Sequence, residues 1–297
     1  MQTKDKMRLL QKALSRPKRL FNSVTFRSKS GLEIQRLENF ASQALAREVR
    51  LDVFLPPGYF KETNSYPVLL LNDGQDMEAI RLADTLEALY FRQKIQKIIV
   101  IAIHANHERM NEYGVANHPD YKKRGAKAGL FTQFVLQELV PFLQQRYRCA
   151  AAPQHWAYAG FSLGGLSAFD IVWHHPQYFS KVGVFSGSFW WRSQAFTPAD
   201  PDAHRIMLEV LQKSTPRPGL QFWFQTGTDD EKEDRNHNGV IDAIDDTLDV
   251  IRALQKLGYH EGSDIQYLEV KGGQHNLPTW AKVMPVFLQW AFANRSK

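Results

Sequence analysis

A serine between two glycines is the residue whose surroundings point most clearly to chemistry. Gly160, Ser162 and Gly164 match the pattern G-x-S-x-G, and the apolar run HWAYAGF precedes the serine while LGGLSAFDIVW follows it. In a strand-to-helix corner of this kind, the small residues let two backbones pass closely and the serine hydroxyl projects above the sheet. The N–H of the next residue, Leu163, then points at a developing oxyanion. We therefore predict that Ser162 is a nucleophile.

A serine nucleophile needs a base, and the base needs an acid that orients it. When the serine lies at such a corner, the acid and then the histidine follow it in the chain. Asp230 follows the apolar run LQFWFQTG, with Asp229 as the alternative, and His275 lies in the glycine-rich loop VKGGQHNLPTW. Polar segments typical of the surface hold the other downstream histidines, His204, His237 and His260. The expected triad is Ser162, Asp230 and His275.

The second oxyanion donor is expected in the loop after the run YPVLLL, which continues as NDGQDM. Gly74 allows a backbone turn there that other residues disfavour, so the N–H of Gly74 or Gln75 is the expected donor. A turn without a chemical role is the alternative.

A second motif, DRNHNGVIDAID, spans Asp234–Asp245. Its spacing is that of a calcium-binding loop, in which alternating oxygen ligands precede a sharp turn at a glycine, here Gly239. The predicted ligands are Asp234, Asn236, Asn238, the carbonyl of Val240, Asp242 and Asp245. Aspartate replaces the usual glutamate at position twelve. We predict a structural Ca²⁺ that stiffens the loop after Asp230; an acidic surface turn is the alternative.

Alternating strand-like and helix-like runs predict an α/β protein with a mostly parallel central sheet and helices on both faces. The strand-like runs are VRLDVFL, YPVLLLND, KIIVIAIH, HWAYAGFS, KVGVFSGS, LQFWFQTG and DIQYLEVKGG. Helices are predicted for GLFTQFVLQELVPFLQQRY, for SLGGLSAFDIVWHH up to Pro176, and for AIDDTLDVIRALQKLG up to Gly258. We expect one domain over residues 23–297, with the calcium-type loop as an insertion at 234–245.

Together these segments resemble the putative-esterase family of α/β-hydrolases, which includes enterobactin esterases, S-formylglutathione hydrolase and feruloyl esterases. The similar pieces run in the family's order from Arg47 to the C-terminus, among them VRLDVFLPPGY, ERMNEYG, AGFSLGGLSAF, VFSGSFWW, TGTDD and GGQHNLPTW. The resemblance implies an α/β-hydrolase fold and the same triad. It also implies that Arg109 and Glu112 form a pair beside the pocket and that Trp190 and Trp191 line the pocket, with core packing as the alternative for both tryptophans.

Composition limits the classes of function. The net charge is +6, and residues 1–22 form a basic extension with seven Lys or Arg against one acid. This charge is consistent with a solvated terminus and also with a helix that touches an anionic surface. The chain lacks a zinc-finger spacing and an apolar run of about 20 residues, so neither nucleic acid nor a membrane span is expected. Cys149 is the single cysteine, which excludes an internal disulfide.

The predicted activity is hydrolysis of a carboxylic ester or thioester through a serine acyl-enzyme, acting on a small-molecule or glycan-linked ester. Acyl transfer by the same triad is one alternative, and a non-catalytic calcium-binding module on a hydrolase scaffold is another. No organic cofactor is implied. The missing secretion signal favours the cytoplasm, whereas a weak calcium site fills more readily outside it. The oligomeric state is left open by the sequence.

Overall fold

The computed structural model describes residues 23–28 and 30–294, so the predicted basic extension lies outside the described residues. Within the described part, no helix combines the length and apolar character needed to cross a lipid bilayer. Nine strands are described: β1 (Ser23–Arg27), β2 (Glu33–Ser42), β3 (Arg47–Leu55), β4 (Val68–Asn72), β5 (Ile99–Ile103), β6 (Trp156–Phe161), β7 (Lys181–Phe185), β8 (Gln221–Asp229) and β9 (Ile265–Gln274).

These strands form one sheet in the order β1-β2-β3-β5-β4-β6-β7-β8-β9. The strands from β5 to β9 along this order are all parallel, whereas β1, β2 and β3 pair antiparallel at one side. The prediction of a mostly parallel sheet is therefore confirmed. Because parallel strands end at the same edge, the loops after β4, β6, β8 and β9 meet at the carboxyl edge of the sheet.

Helices cover both faces of the sheet. Their bounds are α1 (Leu82–Phe91), α2 (Arg109–Glu112), α3 (Ala128–Gln133), α4 (Val140–Arg146), α5 (Leu163–His174), α6 (Ile206–Gln212), α7 (Asp242–Lys256) and α8 (Leu277–Phe292). One core contains α1 and α8, and the other contains α3, α5, α6 and α7. Every residue of β4, β5 and β6 is buried, as expected for strands covered on two faces.

The long helix predicted from GLFTQFVLQELVPFLQQRY has a π-helical segment over Phe134–Leu139, between α3 and α4. Pro141 follows this segment in the first turn of α4. Because proline has no N–H, it leaves a carbonyl of the preceding turn without its usual donor, and a wider turn at this point is a common response.

Candidate active site

Ser162 lies at the corner between β6 and α5, as the sequence predicts. Its backbone has φ 53° and ψ −124°, a conformation that costs a non-glycine residue free energy, and its N–H donates to the Phe185 carbonyl at 2.8 Å. A Cβ at Gly160 would lie 2.3 Å from the carbonyl oxygen of Gly164. Only glycine therefore allows the strand and helix to approach this closely, and the approach holds Ser162 in its strained turn.

The predicted oxyanion donors lie at the first residues of a helix and of a 3₁₀ turn, both at the carboxyl edge. Leu163 is the first residue of α5, and Gly74 and Gln75 are the first two of a 3₁₀ turn over Gly74–Asp76. N–H groups at such positions have no acceptor within their own helix, so they are free to bind an anion.

Gly74 is needed for a different reason from the one the sequence suggests. The residue of this turn with a left-handed backbone is Asp73, at φ 61°. A Cβ at Gly74 would lie 2.7 Å from the His104 ring and 2.9 Å from the carbonyl carbon of Ala102. Gly74 is therefore needed because it has no side chain, which lets the turn approach the end of β5 closely.

The carboxylate of Asp73 connects this turn to the nucleophile corner. Asp73 is buried, and it accepts two hydrogen bonds from Arg109, at 2.6 and 2.8 Å. Its Oδ2 lies 2.6 Å from the point where a Cβ of Gly164 would be. Arg109 therefore holds the turn after β4 through Asp73. It does not pair with Glu112, which binds Arg47 instead, so the expectation of an Arg109–Glu112 pair is wrong.

His275 and Asp230 lie at the same edge, directly after β9 and β8. The two carboxylate oxygens of Asp230 are shielded from solvent, and this desolvation raises the pKa of Asp230. His275 is exposed on part of its ring, but the protein packed against the rest desolvates it and lowers its pKa. The Asp230 charge opposes this shift and the Arg109 charge adds to it. Both Asp230 oxygens lack a hydrogen-bond partner among the described residues, so Asp230 and His275 share this edge of the sheet without a hydrogen bond between them. A neutral imidazole is the state that a general base requires.

The residues considered as alternatives have less suitable surroundings. Asp229 is exposed and lies 3.8 Å from Lys232. His237 and His260 are exposed, as His275 is, but neither of them directly follows a strand of the sheet. Burial raises the pKa of Cys149 to about 12, which keeps its thiol protonated and unreactive.

Ser188 is a site residue that the sequence did not reveal. Its Oγ lies 3.3 Å from Ser162 Oγ, and its N–H donates to the Ser162 carbonyl at 3.2 Å. It belongs to the segment SGSF after β7, where one small polar residue among several gives no periodic signal.

Two cavities contain residues that the sequence predicts for the site. A cleft of about 410 Å³ is lined by Gly74, Gln75, His104 and Asp52, and His104 Nε2 lies 2.9 Å from Asp52 Oδ2. Nothing in the sequence connects Asp52 with His104, since 52 residues separate them.

The second cavity, of about 460 Å³, has three aromatic lining residues, Tyr121, Trp190 and Phe196. The rest of its lining is charged and consists of Arg192, Glu233, Asp234, Arg235 and Asp242. Trp190 is 37% exposed, whereas Trp191 is fully buried and lies 3.0 to 3.1 Å from the Cβ positions of Gly125 and Gly114. Trp190 thus lines a cavity, as expected. Trp191 belongs to the core, which corrects the expectation that it lines the pocket.

A model of the family described as "Putative esterase" matches residues 42–291. The chain belongs to this family. The resemblance seen in the sequence is thereby confirmed, and membership supports ester hydrolysis as the class of activity. A Bacillus subtilis relative, described as the uncharacterized protein YbbA, is 24% identical over 260 residues, which cover 86% of this chain and 97% of YbbA.

Solved structures of esterases share the fold. A ferulic acid esterase has a TM-score of 0.65 and 18% identity over 90% of this chain and 99% of its own. An IroE-like serine hydrolase from Shewanella oneidensis has a TM-score of 0.65 and 20% identity over 88% and 80%. An enterobactin esterase from Shigella flexneri has a TM-score of 0.68 and 19% identity, covering 90% of this chain but 60% of that enzyme. The predicted α/β-hydrolase fold is confirmed.

In this esterase chain, the predicted calcium loop begins four residues after Asp230, and its last four residues form the first turn of α7. The amides of Asn236 and Asn238 both meet Asp245 Oδ2, at 3.1 and 2.6 Å. Asp234 accepts the N–H groups of Asn238 and Gly239 at 3.1 and 2.9 Å. The amide oxygens of Asn236 and Asn238 accept the N–H groups of Asn238 and Val240 at 3.2 and 2.8 Å, so the amide nitrogens are the atoms that face Asp245. A cation at Asp245 would require both amides to turn by 180°.

Asp242, the ninth residue of this loop, has a different neighbour. Its carboxylate accepts the backbone N–H of Arg235 at 2.9 Å and lies 3.2 Å from the guanidinium. Over residues 23–28 and 30–294, no three His, Cys, Asp or Glu side chains are grouped so as to hold a metal ion. The loop aspartates therefore do not converge as three, and an ion there would depend on the asparagines and the Val240 carbonyl.

Proposed function

We propose that the protein hydrolyses carboxylic esters or thioesters through a covalent acyl-enzyme on Ser162. His275 acts as the general base and Asp230 orients it. The N–H groups of Leu163 and of Gly74 or Gln75 bind the oxyanion. The observation that carries this proposal is the strained backbone of Ser162, at φ 53° and ψ −124°, on the edge where the Asp230–His275 pair also lies.

The proposed reaction has two halves. His275 takes the proton of the Ser162 hydroxyl while its oxygen attacks the acyl carbonyl, and the negative oxygen that forms is held by the backbone donors. The protonated imidazole then gives its proton to the leaving alcohol or thiol. In the second half, His275 activates a water that attacks the acyl carbon, and Ser162 leaves with the proton restored. Asp230 stays ionised and stabilises the imidazolium.

The cavity lined by Tyr121, Trp190 and Phe196 brings three aromatic side chains together, which favours an ester with an aromatic group. Two of the structural neighbours are described as ferulic acid and enterobactin esterases. We propose that the aromatic side chains lining the cavity stack on the aromatic part of a small-molecule or glycan-linked ester.

Active-site labelling tests the enzymatic proposal. The wild-type protein is treated with a fluorophosphonate probe, and Ser162→Ala serves as the matched variant, with hydrolysis of 4-nitrophenyl acetate measured in parallel. We expect labelling and turnover in the wild type and the loss of both in the variant. Folded wild-type protein that neither labels nor turns over the ester would overturn the proposal.

We also propose that the loop over Asp234–Asp245 binds a structural Ca²⁺. The ion would be held by Asp234, Asn236, Asn238, the Val240 carbonyl and Asp245. Asp242 would not bind it, because its carboxylate is paired with Arg235. A bound cation would fix the segment that begins four residues after Asp230. Its contribution would be to rigidity, since the ion would lie outside the reacting groups.

A further inference from the structure

Arg192 is a buried cation without an ion-pair partner among the described residues. It is 7% exposed, and the two acids that act on its charge, Asp202 and Asp246, are paired elsewhere. Asp246 pairs with Arg205 and Arg235, and Asp202 lies 2.8 Å from Arg235. Burial and the charge of Arg235 lower the pKa of Arg192. A buried charge that lacks a partner costs free energy, so an anion bound there would be stabilised.

The guanidinium of Arg192 is fixed on one side and open on the other. Its Nη1 donates to the Ala203 carbonyl at 2.6 Å, and the Arg192 carbonyl accepts the N–H of Tyr121 at 2.9 Å. Nε and Nη2 make no hydrogen bond among the described residues, and neither atom is shielded from solvent. Because Arg192 is otherwise buried and lines the second cavity, we infer that these two nitrogens face that cavity.

Three aromatic side chains line the same space, the aromatic cavity of about 460 Å³. Tyr121, Trp190 and Phe196 are 43%, 37% and 46% exposed. Exposed apolar side chains that are grouped, instead of scattered singly, mark a binding surface. A cavity of this volume is in the range that holds a small molecule. The ligand that fits it has an aromatic body and a group that accepts hydrogen bonds from Arg192.

The acids in the lining do not neutralise Arg192. Asp242 accepts the N–H of Arg235 at 2.9 Å and lies 3.2 Å from its guanidinium. Asp234 accepts two N–H groups of its own loop, at 3.1 and 2.9 Å. Glu233 is exposed, so water and salt screen its charge. Arg192 is therefore the charge in this lining that is both buried and uncompensated.

We propose that the aromatic cavity binds an aromatic carboxylate, with the carboxylate on Arg192 and the ring against Tyr121, Trp190 and Phe196. A planar guanidinium matches the two oxygens of a carboxylate, and aromatic side chains pack on the ring of the ligand. As a statement about the substrate, this inference rests on the proposed function and narrows it to esters whose aromatic part carries a carboxylate. Binding of the free acid does not depend on catalysis.

Calorimetric titration of the full chain with 4-hydroxybenzoate tests the site, and 4-hydroxybenzamide is its neutral counterpart. Hydrogen bonds to a charged group contribute about ten- to a hundredfold in affinity, so the wild type should bind the acid at least about tenfold more tightly than the amide. Arg192→Met keeps the apolar stem and removes the charge. It should weaken binding of the acid about ten- to a hundredfold and leave binding of the amide nearly unchanged.

Matched variants separate the charge from the packing. Arg217 is also partly buried without a carboxylate partner in the described part of the chain, but it lies over the Trp173 ring at 5.1 Å and does not line the cavity. Arg217→Met should therefore bind both compounds as the wild type does. Trp190→Leu removes an aromatic wall and should weaken the acid and the amide equally. Trp190→Leu also tests the site if Arg192→Met fails to fold.

A pair of esters tests the assignment to the substrate. We expect kcat/KM of the wild type to be about tenfold higher for 4-acetoxybenzoate than for 4-acetoxybenzamide, and this preference should be lost in Arg192→Met. 4-Hydroxybenzoate should inhibit the hydrolysis of 4-nitrophenyl acetate competitively.

The outcomes are distinct. Equal affinity of the wild type for acid and amide would overturn the inference, and so would tighter binding of benzyltrimethylammonium than of 4-hydroxybenzoate. Selective binding of the acid without competitive inhibition would support the ligand site and overturn its assignment to the substrate. Absence of fluorophosphonate labelling, with selective binding of the acid retained, would instead defeat the proposed function and support the site.

Discussion

Replacing Gly74 by alanine tests whether the turn after β4 supplies an oxyanion donor. The new Cβ would lie 2.7 Å from His104 Cδ2 and 2.9 Å from both Ala102 C and His104 N. Ordinary contacts begin near 3.4 Å, so the turn or the end of β5 must move by about 0.5 to 0.7 Å. Two of these atoms belong to the backbone of a buried segment, so we expect the turn to move.

The size of the effect follows from this displacement. A shift approaching 1 Å at a reacting group costs about a hundredfold in rate, and loss of one oxyanion donor costs about a hundred- to a thousandfold. We expect Gly74→Ala to lower kcat about a hundredfold, with KM for 4-nitrophenyl acetate nearly unchanged because the donor acts mainly on the transition state. Overpacking should also lower the free energy of unfolding by about 1 to 3 kcal/mol.

Gly219→Ala is the matched control. Gly219 has φ +87° with nothing within 4 Å of its Cβ position, so alanine there adds backbone strain of about 1 kcal/mol or more without displacing a neighbour. It should lower the melting temperature and leave kcat unchanged. If Gly74→Ala also keeps the wild-type kcat while its melting temperature falls, the turn is not part of the oxyanion site.

Two further predictions concern pH and calcium. Desolvation and Arg109 lower the pKa of His275, and the neutral ring is the active form, so the acid limb of kcat/KM should lie below the ordinary imidazole pKa of about 6.5. A pH–rate profile checks this, and a limb above 6.5 contradicts it. Calcium at one hundred times its dissociation constant should stabilise the protein by about 2.7 kcal/mol over the chelated form. Asn238→Ala should abolish this difference in thermal melting and His237→Asn should keep it, whereas identical wild-type melts with calcium and with chelator would exclude the ion.

The parallel part of the fold could be predicted because its strands are buried on both faces. YPVLLLND and KIIVIAIH read as continuous apolar runs, and they became β4 and β5. β2, with the sequence EIQRLENFAS, was missed because it carries charged residues and a register shift between Leu37 and Phe40. Such an antiparallel strand is specified by its partners, here β1 and β3, as much as by its own residues.

The candidate site was predictable where one residue carries the signal. The glycines around Ser162 and the chain order of Asp230 and His275 pointed to one edge of the sheet. Asp73 gave no such signal, because its partner Arg109 is 36 positions away in the sequence and comes near only through the fold. Trp191 was assigned wrongly to the pocket for a related reason. An aromatic residue close to a site in the sequence looks the same whether its side chain lines the pocket or packs in the core.

The contact between Asp73 and Gly164 has a consequence for how this enzyme can be changed by engineering or by evolution. The Asp73 carboxylate packs against Gly164 in α5, the helix that follows Ser162, and it also accepts a hydrogen bond from Arg109. A larger residue at position 164 has no room until Asp73 is shortened, and a shorter residue at 73 leaves the guanidinium of Arg109 without its counter-ion. Positions 73, 109 and 164 should therefore be inherited as a set, and a library that varies one of them alone will return mostly inactive clones.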